Sequence, residues 1–209
     1  MRRKPNRCPR CLVHEDNCFC QTISKIATKN RLSVILYKKE KWLPSNTANL
    51  SLMSLENSNK FERGHKDEFM PEDFIANEEY QPLYLYPSDE AQELTPKFLQ
   101  QFDKPVNLIV PDGTWRQAKK IHLREPLLAG IHHVKINPSS SSRYTLRRQK
   151  YEYGLCTFEA IAQAFEVLEG KECFETLDKN FSIFLDAHHK NRQIFEPIKK
   201  KGVHRTPDN

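Results

Sequence analysis

The sequence predicts an α/β fold on a mostly parallel sheet, and three observations carry that expectation. Apolar runs of strand length recur along the chain, stretches of helical period alternate with them, and turn residues punctuate the joins. The clearest case is residues 106–111 (VNLIVP), bounded by Lys104-Pro105 before and Asp112-Gly113 after.

Taken in order, residues 1–29 are short, basic and Cys-rich. Residues 32–37 (LSVILY) form the first strand candidate. Pro44 and Ser45 then mark a loop, and Asn46 and Thr47 suit the cap of a helix carrying Leu50, Met53 and Leu55. Residues 56–81 are acidic and show no period, so they are expected to be irregular. Residues 83–86 (LYLY) predict a second strand, followed by a Pro87-Ser88 turn and a helix over 91–102. After the third strand at 106–111, WRQAKKIHL predicts a helix from Thr114 onward, and residues 131–136 a weaker fourth strand. A Pro/Ser loop (NPSSSS) leads into the basic stretch RYTLRRQK. From Thr157, the residues Phe158, Ile161, Ala162, Phe165 and Leu168 share one helical face, with Glu159 in the dipole-favoured first turn. A closing helix is expected over 175–195, then a loose tail. The domain division expected is a small Cys-rich module at 1–30, the main domain at 31–196 and a flexible basic tail at 197–209. No internal repeat, GxGxxG or GxxxxGK[ST] is present.

The chain has 209 residues, 38% hydrophobic and 29% charged, with mean hydropathy −0.73. That is enough apolar material for one packed core, while no run approaches the roughly 18 apolar residues that span a bilayer. The basic start MRRKPNRCPRC lacks the apolar segment of a signal peptide, so a cytoplasmic protein with no membrane partner is expected. Net charge is +6, unevenly spread: residues 1–31 carry +6, residues 56–103 carry −8 and residues 104–209 carry +6. Basic ends that converge would favour a polyanion such as RNA; the competing reading is ordinary solvated surface.

Four of the six cysteines, Cys8, Cys11, Cys18 and Cys20, lie within thirteen residues as C-x2-C and C-x-C. In a chain read as cytosolic, four clustered thiolates suit tetrahedral Zn²⁺ better than disulfides, with a redox pair or iron–sulfur site as alternatives. Because the second pair is tight, His14 is a possible substitute ligand. Arg7 and Arg10 flank the first pair and favour thiolates, and such a module would present these arginines to RNA. Cys156 and Cys173 read as packing residues.

Asp112-Gly113-Thr114-Trp115 closes an apolar strand and opens a helix. In open α/β sheets ligands bind at the carboxyl ends of strands, where Asp112 could serve as a base or bind an amine. Thr114 would leave helix N–H groups facing the crevice. The competing reading makes Asp112 and Thr114 simple caps and Trp115 a core residue.

These residues also carry a family resemblance. PDGTW resembles the Asp-x-Thr-Trp signature of the DTW-domain family, with Gly113 in the variable place. The C-x2-C…C-x-C cluster, the Asn-Thr segment in LPSNTANL, the Tyr-Pro-Ser turn in LYPS, SRYTLRRQ and GLCTFEAIA are similar to further motifs of that family, in its order, over about residues 7–195. Cys156 stands where Ser is more usual, with Thr157 and Glu159 retained.

The resemblance implies a SPOUT-like fold with a C-terminal trefoil knot, an exception to the rarity of knots. It also implies a tRNA-uridine aminocarboxypropyltransferase that uses S-adenosylmethionine as co-substrate and releases methylthioadenosine. The compact size suggests variable-loop position 47, and a monomer or homodimer. On this reading Asp112 is the candidate base or positioning group for uracil N3. The co-substrate would be held by Ser88, Pro111, Asp112, Gly113, Thr114, Trp115, Arg143, Tyr144, Leu146, Leu155, Thr157 and Glu159, with Arg143 or Arg147 meeting the methionine carboxylate. RNA would meet Arg7, Arg10, Asn46, Thr47, Arg116, Lys119, Lys120, Arg147, Arg148 and Lys150. Structural Zn²⁺ would sit on the four clustered cysteines. The alternatives are a SPOUT-type RNA methyltransferase and a zinc-containing RNA-binding protein without catalysis.

Overall fold

The computed structural model describes residues 6–64, 69–138, 141–146 and 154–200, the last nine of these as backbone only. Six strands form one sheet: β1 Arg31–Tyr37, β2 Ser58–Arg63, β3 Gln81–Leu85, β4 Gln92–Glu93, β5 Val106–Asp112 and β6 His132–Lys135. Their order is β2-β1-β5-β3-β6-β4 and every pairing is parallel. The helices are α1 Thr47–Ser54, α2 Glu72–Ile75, α3 Pro96–Leu99, α4 Trp115–Arg124, α5 Thr157–Glu169 and α6 Lys171–Lys200.

The central strands β1 and β5 are buried along nearly their whole length and mostly apolar because both faces of the sheet are covered. Leu32, Val34, Leu36, Leu108 and Val110 point to one side and join the main core with α1, α5 and α6. Ile35, Tyr84 and Ile109 point to the other and pack with Phe74 and Ile75 of α2 and Ile121 of α4. Where polar side chains fall inside, they meet one another. The Ser33 hydroxyl lies 2.7 Å from the amide oxygens of both Asn59 and Asn107, so the unit costs little to bury.

Two expectations are corrected. The segment 56–81 holds β2 and α2 instead of irregular chain. β2 is an edge strand of SNKFER with every residue partly exposed or nearly so, hence no apolar alternation betrays it; its register comes from backbone pairing to β1. The helix expected over 91–102 is cut to α3, with β4 before it. Thr95 precedes Pro96, which disfavours helical backbone at Thr95. Its side chain instead caps α3 by accepting from Phe98 N at 3.1 Å, while Leu94 N donates to Lys135 O beside β6.

The Cys-rich segment shares the main core. Phe19 meets Phe184 of α6 edge-on at 5.7 Å, and Val13 is fully buried. Asn180 of α6, also fully buried, accepts from Ser24 N and donates to Ser24 O and Ser54 Oγ. Helix α6 runs to Lys200, so the first residues of the expected tail continue it. Among the described residues no helix is long and apolar enough to cross a membrane.

Candidate active site

The carboxyl ends of β1, β3, β5 and β6 open on a cleft of about 860 Å³. Its floor is Asp112, the last residue of β5 and only 4% exposed. Asn46 Nδ2 donates to Asp112 Oδ2 at 2.5 Å, and Thr157 Oγ1 donates to Asp112 Oδ1 at 2.7 Å. The local sequence explains this convergence. Asn46 is the N-cap of α1, its Oδ1 accepting from Asn49 N at 2.9 Å, which leaves its amide hydrogens for Asp112. Thr157 opens α5, and Phe158 N beside it donates to Thr47 Oγ1 at 3.3 Å. One carboxylate therefore ties a strand end to two helix starts.

Gly113 follows because no side chain fits there: with φ at 155°, a Cβ would stand 3.0 Å from Gln117 Cβ and Oε1. Thr114 and Gln117 form a capping box at the start of α4, with Thr114 N donating to Gln117 Oε1 at 2.7 Å. Trp115 is 40% exposed and lines the cleft, which sets aside the competing reading of it as a core residue.

A second anchor is Glu159. Its Oε2 accepts from Ser142 Oγ at 2.5 Å and from Cys156 N at 2.9 Å, and its Oε1 from Arg143 N at 2.8 Å. This fastens residues 141–146 to the start of α5 and brings in Tyr144, whose hydroxyl donates to Ser45 O at 2.5 Å. Burial drives the Cys156 thiol well above its ordinary pKa, with Glu159 adding to the effect, so it is a neutral wall group.

Of the residues expected to hold a co-substrate, Pro111, Asp112, Gly113, Thr114, Trp115, Tyr144, Leu155 and Thr157 line the cleft. Ser88, Arg143, Leu146 and Glu159 do not. Ser88 Oγ lies 3.0 Å from His133 Nδ1, and Leu146 is in the core. The Arg143 guanidinium pairs with Asp178, lies 3.4 Å from Ser182 Oγ and stands 5.4 Å from the Phe181 ring centroid. Asn46 and Thr47, expected at RNA, are 3% and 5% exposed and committed to Asp112 and α5. Both also line the cleft. Arg116 lines the cleft, while Lys119 and Lys120 are exposed on the same helix. Arg147, Arg148 and Lys150 lie outside the described residues.

The sequence reading missed Glu40, Ser45, Tyr86, Pro87, Lys135 and Ile136 among the lining groups. Reading residues at the ends of β1, β3 and β6, as was done for β5, would have found them.

The four cysteines converge apart from the cleft. All four sulfurs lie within 4.8 Å of one another, with Cys8–Cys20 at 3.7 Å and Cys11–Cys18 at 3.8 Å. Zinc bonded to four sulfurs at about 2.3 Å would set tetrahedral edges near 3.8 Å, so the set fits that ion. Burial opposes ionisation of Cys8, yet backbone amides of its turn and the neighbouring thiols outweigh it and bring Cys8 down to about 6. Burial pushes Cys11 and Cys20 up. A bound cation would let all four ionise, which the surroundings alone favour only for Cys8. His14 is outside the cluster, its Nδ1 accepting from Asp16 N at 3.3 Å. Arg7 donates to Leu12 O at 2.9 Å, bracing the turn in which Leu12 has φ 61°. Arg10 is exposed.

Among known proteins, the chain is 30% identical over 80% of its length to tRNA-uridine aminocarboxypropyltransferase 2 of Macaca fascicularis. It is 36% and 37% identical, over 44% of its length each, to proteins of that name from Mus musculus and Drosophila melanogaster. It spans 58%, 31% and 36% of these three relatives. The solved structure of the SAM-dependent rRNA:acp-transferase Tsr3 from Vulcanisaeta distributa has a similar fold, with TM-score 0.50 and 17% identity over 81% of this chain and 82% of that one. A family model described as DTW domain matches residues 5–189, a span that takes in both the cysteine cluster and the Asp112 cleft, and the chain belongs to the DTW-domain family.

Proposed function

We propose that the chain transfers the 3-amino-3-carboxypropyl group of S-adenosylmethionine to N3 of a tRNA uridine and releases methylthioadenosine. The observation that carries this reading is the buried carboxylate of Asp112, held by Asn46 and Thr157 at the floor of a strand-end cleft. The relatives' names supply the reaction, and the residues supply a site able to perform it.

S-adenosylmethionine supplies the electrophilic γ-carbon and a sulfonium leaving group. The bond from uracil N3 to that carbon forms as the carbon–sulfur bond breaks; its electron pair stays on sulfur and N3 gives up its proton. Asp112 takes or organises that proton, and its two donors keep the carboxylate in one orientation. Leu85, Val110, Ile136 and Leu155 give the cleft apolar walls that hold the reacting carbon against N3 and limit water. Arg116 and Lys135 are cations that line the cleft and meet the methionine carboxylate or an RNA phosphate. The finer parts of the proposal are the variable-loop uridine at position 47, Zn²⁺ as the ion on the cysteines, a cytoplasmic location, a monomer or homodimer and the C-terminal knot.

Incubation with unmodified tRNA and S-adenosylmethionine tests the reaction by nucleoside mass spectrometry. Aminocarboxypropyl-uridine with methylthioadenosine supports it. Methyl-uridine with S-adenosylhomocysteine would replace it by methyl transfer, and no product by RNA binding without catalysis. Asp112→Asn should cut kcat at least about a hundredfold; activity near wild type would remove Asp112 from the proton step.

A further inference from the structure

The chain has two tryptophans, and both are exposed beside the cleft. Trp115 lines it. Trp42 is 70% exposed and sits in the turn between β1 and α1, whose neighbouring residues Glu40 and Ser45 line the same cleft. This turn is held at closely spaced points: Glu40 N donates to Tyr37 O at 2.8 Å, Leu43 N to Glu40 O at 3.1 Å and Asn46 N to Leu43 O at 2.9 Å. Lys41 Nζ lies 2.8 Å from Glu62 Oε1 and 5.2 Å from the Trp42 ring centroid. A large indole is thus displayed to water at a braced position, with Lys41 beside its ring and further lysines at 38 and 39 in the same segment of the sequence.

Single exposed apolar residues are common on protein surfaces; this one is informative for its place, between residues that line the cleft. An exposed indole with a lysine at its ring, in a basic segment that borders the cleft, suits an unpaired nucleotide, whose base stacks while its phosphate meets an ammonium group. We propose that Trp42 is a specificity-determining residue that stacks on an unpaired base adjoining the uridine delivered to the cleft. The inference rests on the reading that this cleft accepts an RNA uridine. It deepens that reading by predicting selection of single-stranded over paired RNA.

The test uses the full chain. In a Trp115→Phe background Trp42 is the sole tryptophan, so its emission reports directly on the indole. Unmodified tRNA and a single-stranded oligonucleotide containing uridine should quench it at saturation; a fully paired RNA duplex of equal length should not. In the otherwise wild-type chain, Trp42→Ala should raise the Kd and KM for tRNA about tenfold, with kcat and the KM for S-adenosylmethionine changed less than twofold. Trp42→Phe should recover most of the loss. Unchanged emission when filter binding shows the tRNA bound, equal quenching by duplex, or a Kd for Trp42→Ala within twofold of wild type would overturn the inference. Failure of the wild-type chain to modify any uridine would instead overturn the proposed reaction, while the quenching and Kd measurements would still decide the role of Trp42.

Discussion

The cysteine cluster and the Asp112 floor are two ways of holding charged groups inside one protein. The cysteine cluster gathers four sulfurs from residues at most twelve apart in sequence, and they can all ionise together only around a cation. The floor draws its donors from 66 and 45 residues away, and the protein itself satisfies the carboxylate. On the proposed reading the first depends on an ion added from solution; the second depends on the fold having closed. Because the cysteine segment packs through Phe19 and Val13 into the core beneath α6, loss of the ion should spread beyond the segment itself.

The largest expected effect therefore lies at the cluster. Chelation of the metal, or Cys11→Ser, should lower Tm by about 10 °C or more, with zinc restoring the chelated protein but not the variant. Calorimetry with elemental analysis checks this. A chain that contains no metal and melts unchanged with chelator would break the contrast, since both sites would then be satisfied by protein alone.

At the floor the expected effect is smaller. Asn46→Ala removes the cap of α1 and one donor to Asp112, worth together roughly 2–4 kcal/mol in urea unfolding. Asn46→Asp sharpens the comparison, because an aspartate still caps α1 but sets a second carboxylate against Asp112. Stability should fall with either substitution, and kcat should fall with Asn46→Asp at least as far as with Asn46→Ala. Wild-type turnover in both would show that the orientation of Asp112 does not matter to the reaction.

The same contrast explains what the sequence made legible. The spacing of Cys8, Cys11, Cys18 and Cys20 is a local signal, and the structure brings the four sulfurs together. Asp112 at a strand end is likewise local, as are the strands β1, β5 and β6 and the starts of α4 and α5, where apolar runs meet capping residues. Asn46 showed as a helix cap, but its free amide edge reaching Asp112 depends on α1 and β5 lying side by side, which no local pattern encodes. Edge strand β2 carries no apolar alternation because its register is set by backbone pairing, and α3 is shorter than the helical period predicts because the Thr95-Pro96 break delays its start. The motif order that pointed to the family covered nearly the whole chain, yet it did not say which arginine faces the cleft.

Arg143 is where that silence has a measurable consequence. The family resemblance makes Arg143 or Arg147 the candidate for a methionine carboxylate, but the Arg143 guanidinium turns to Asp178 and the Phe181 ring on α6. Both partners of the ion pair are nearly half exposed, so water and salt screen it heavily. Arg143→Ala should cost about 1 kcal/mol or less and shift the KM for S-adenosylmethionine less than threefold, because the backbone N–H of residue 143 still reaches Glu159. Glu159→Ala should cost more, since three donors lose one acceptor and Tyr144 is no longer steadied at the cleft wall. Urea unfolding and steady-state kinetics on the two variants separate these effects. A tenfold rise in KM for Arg143→Ala at unchanged stability would mean that the guanidinium leaves Asp178 for the cleft during turnover, and the assignment of the carboxylate to Arg116 or Lys135 would fall with it.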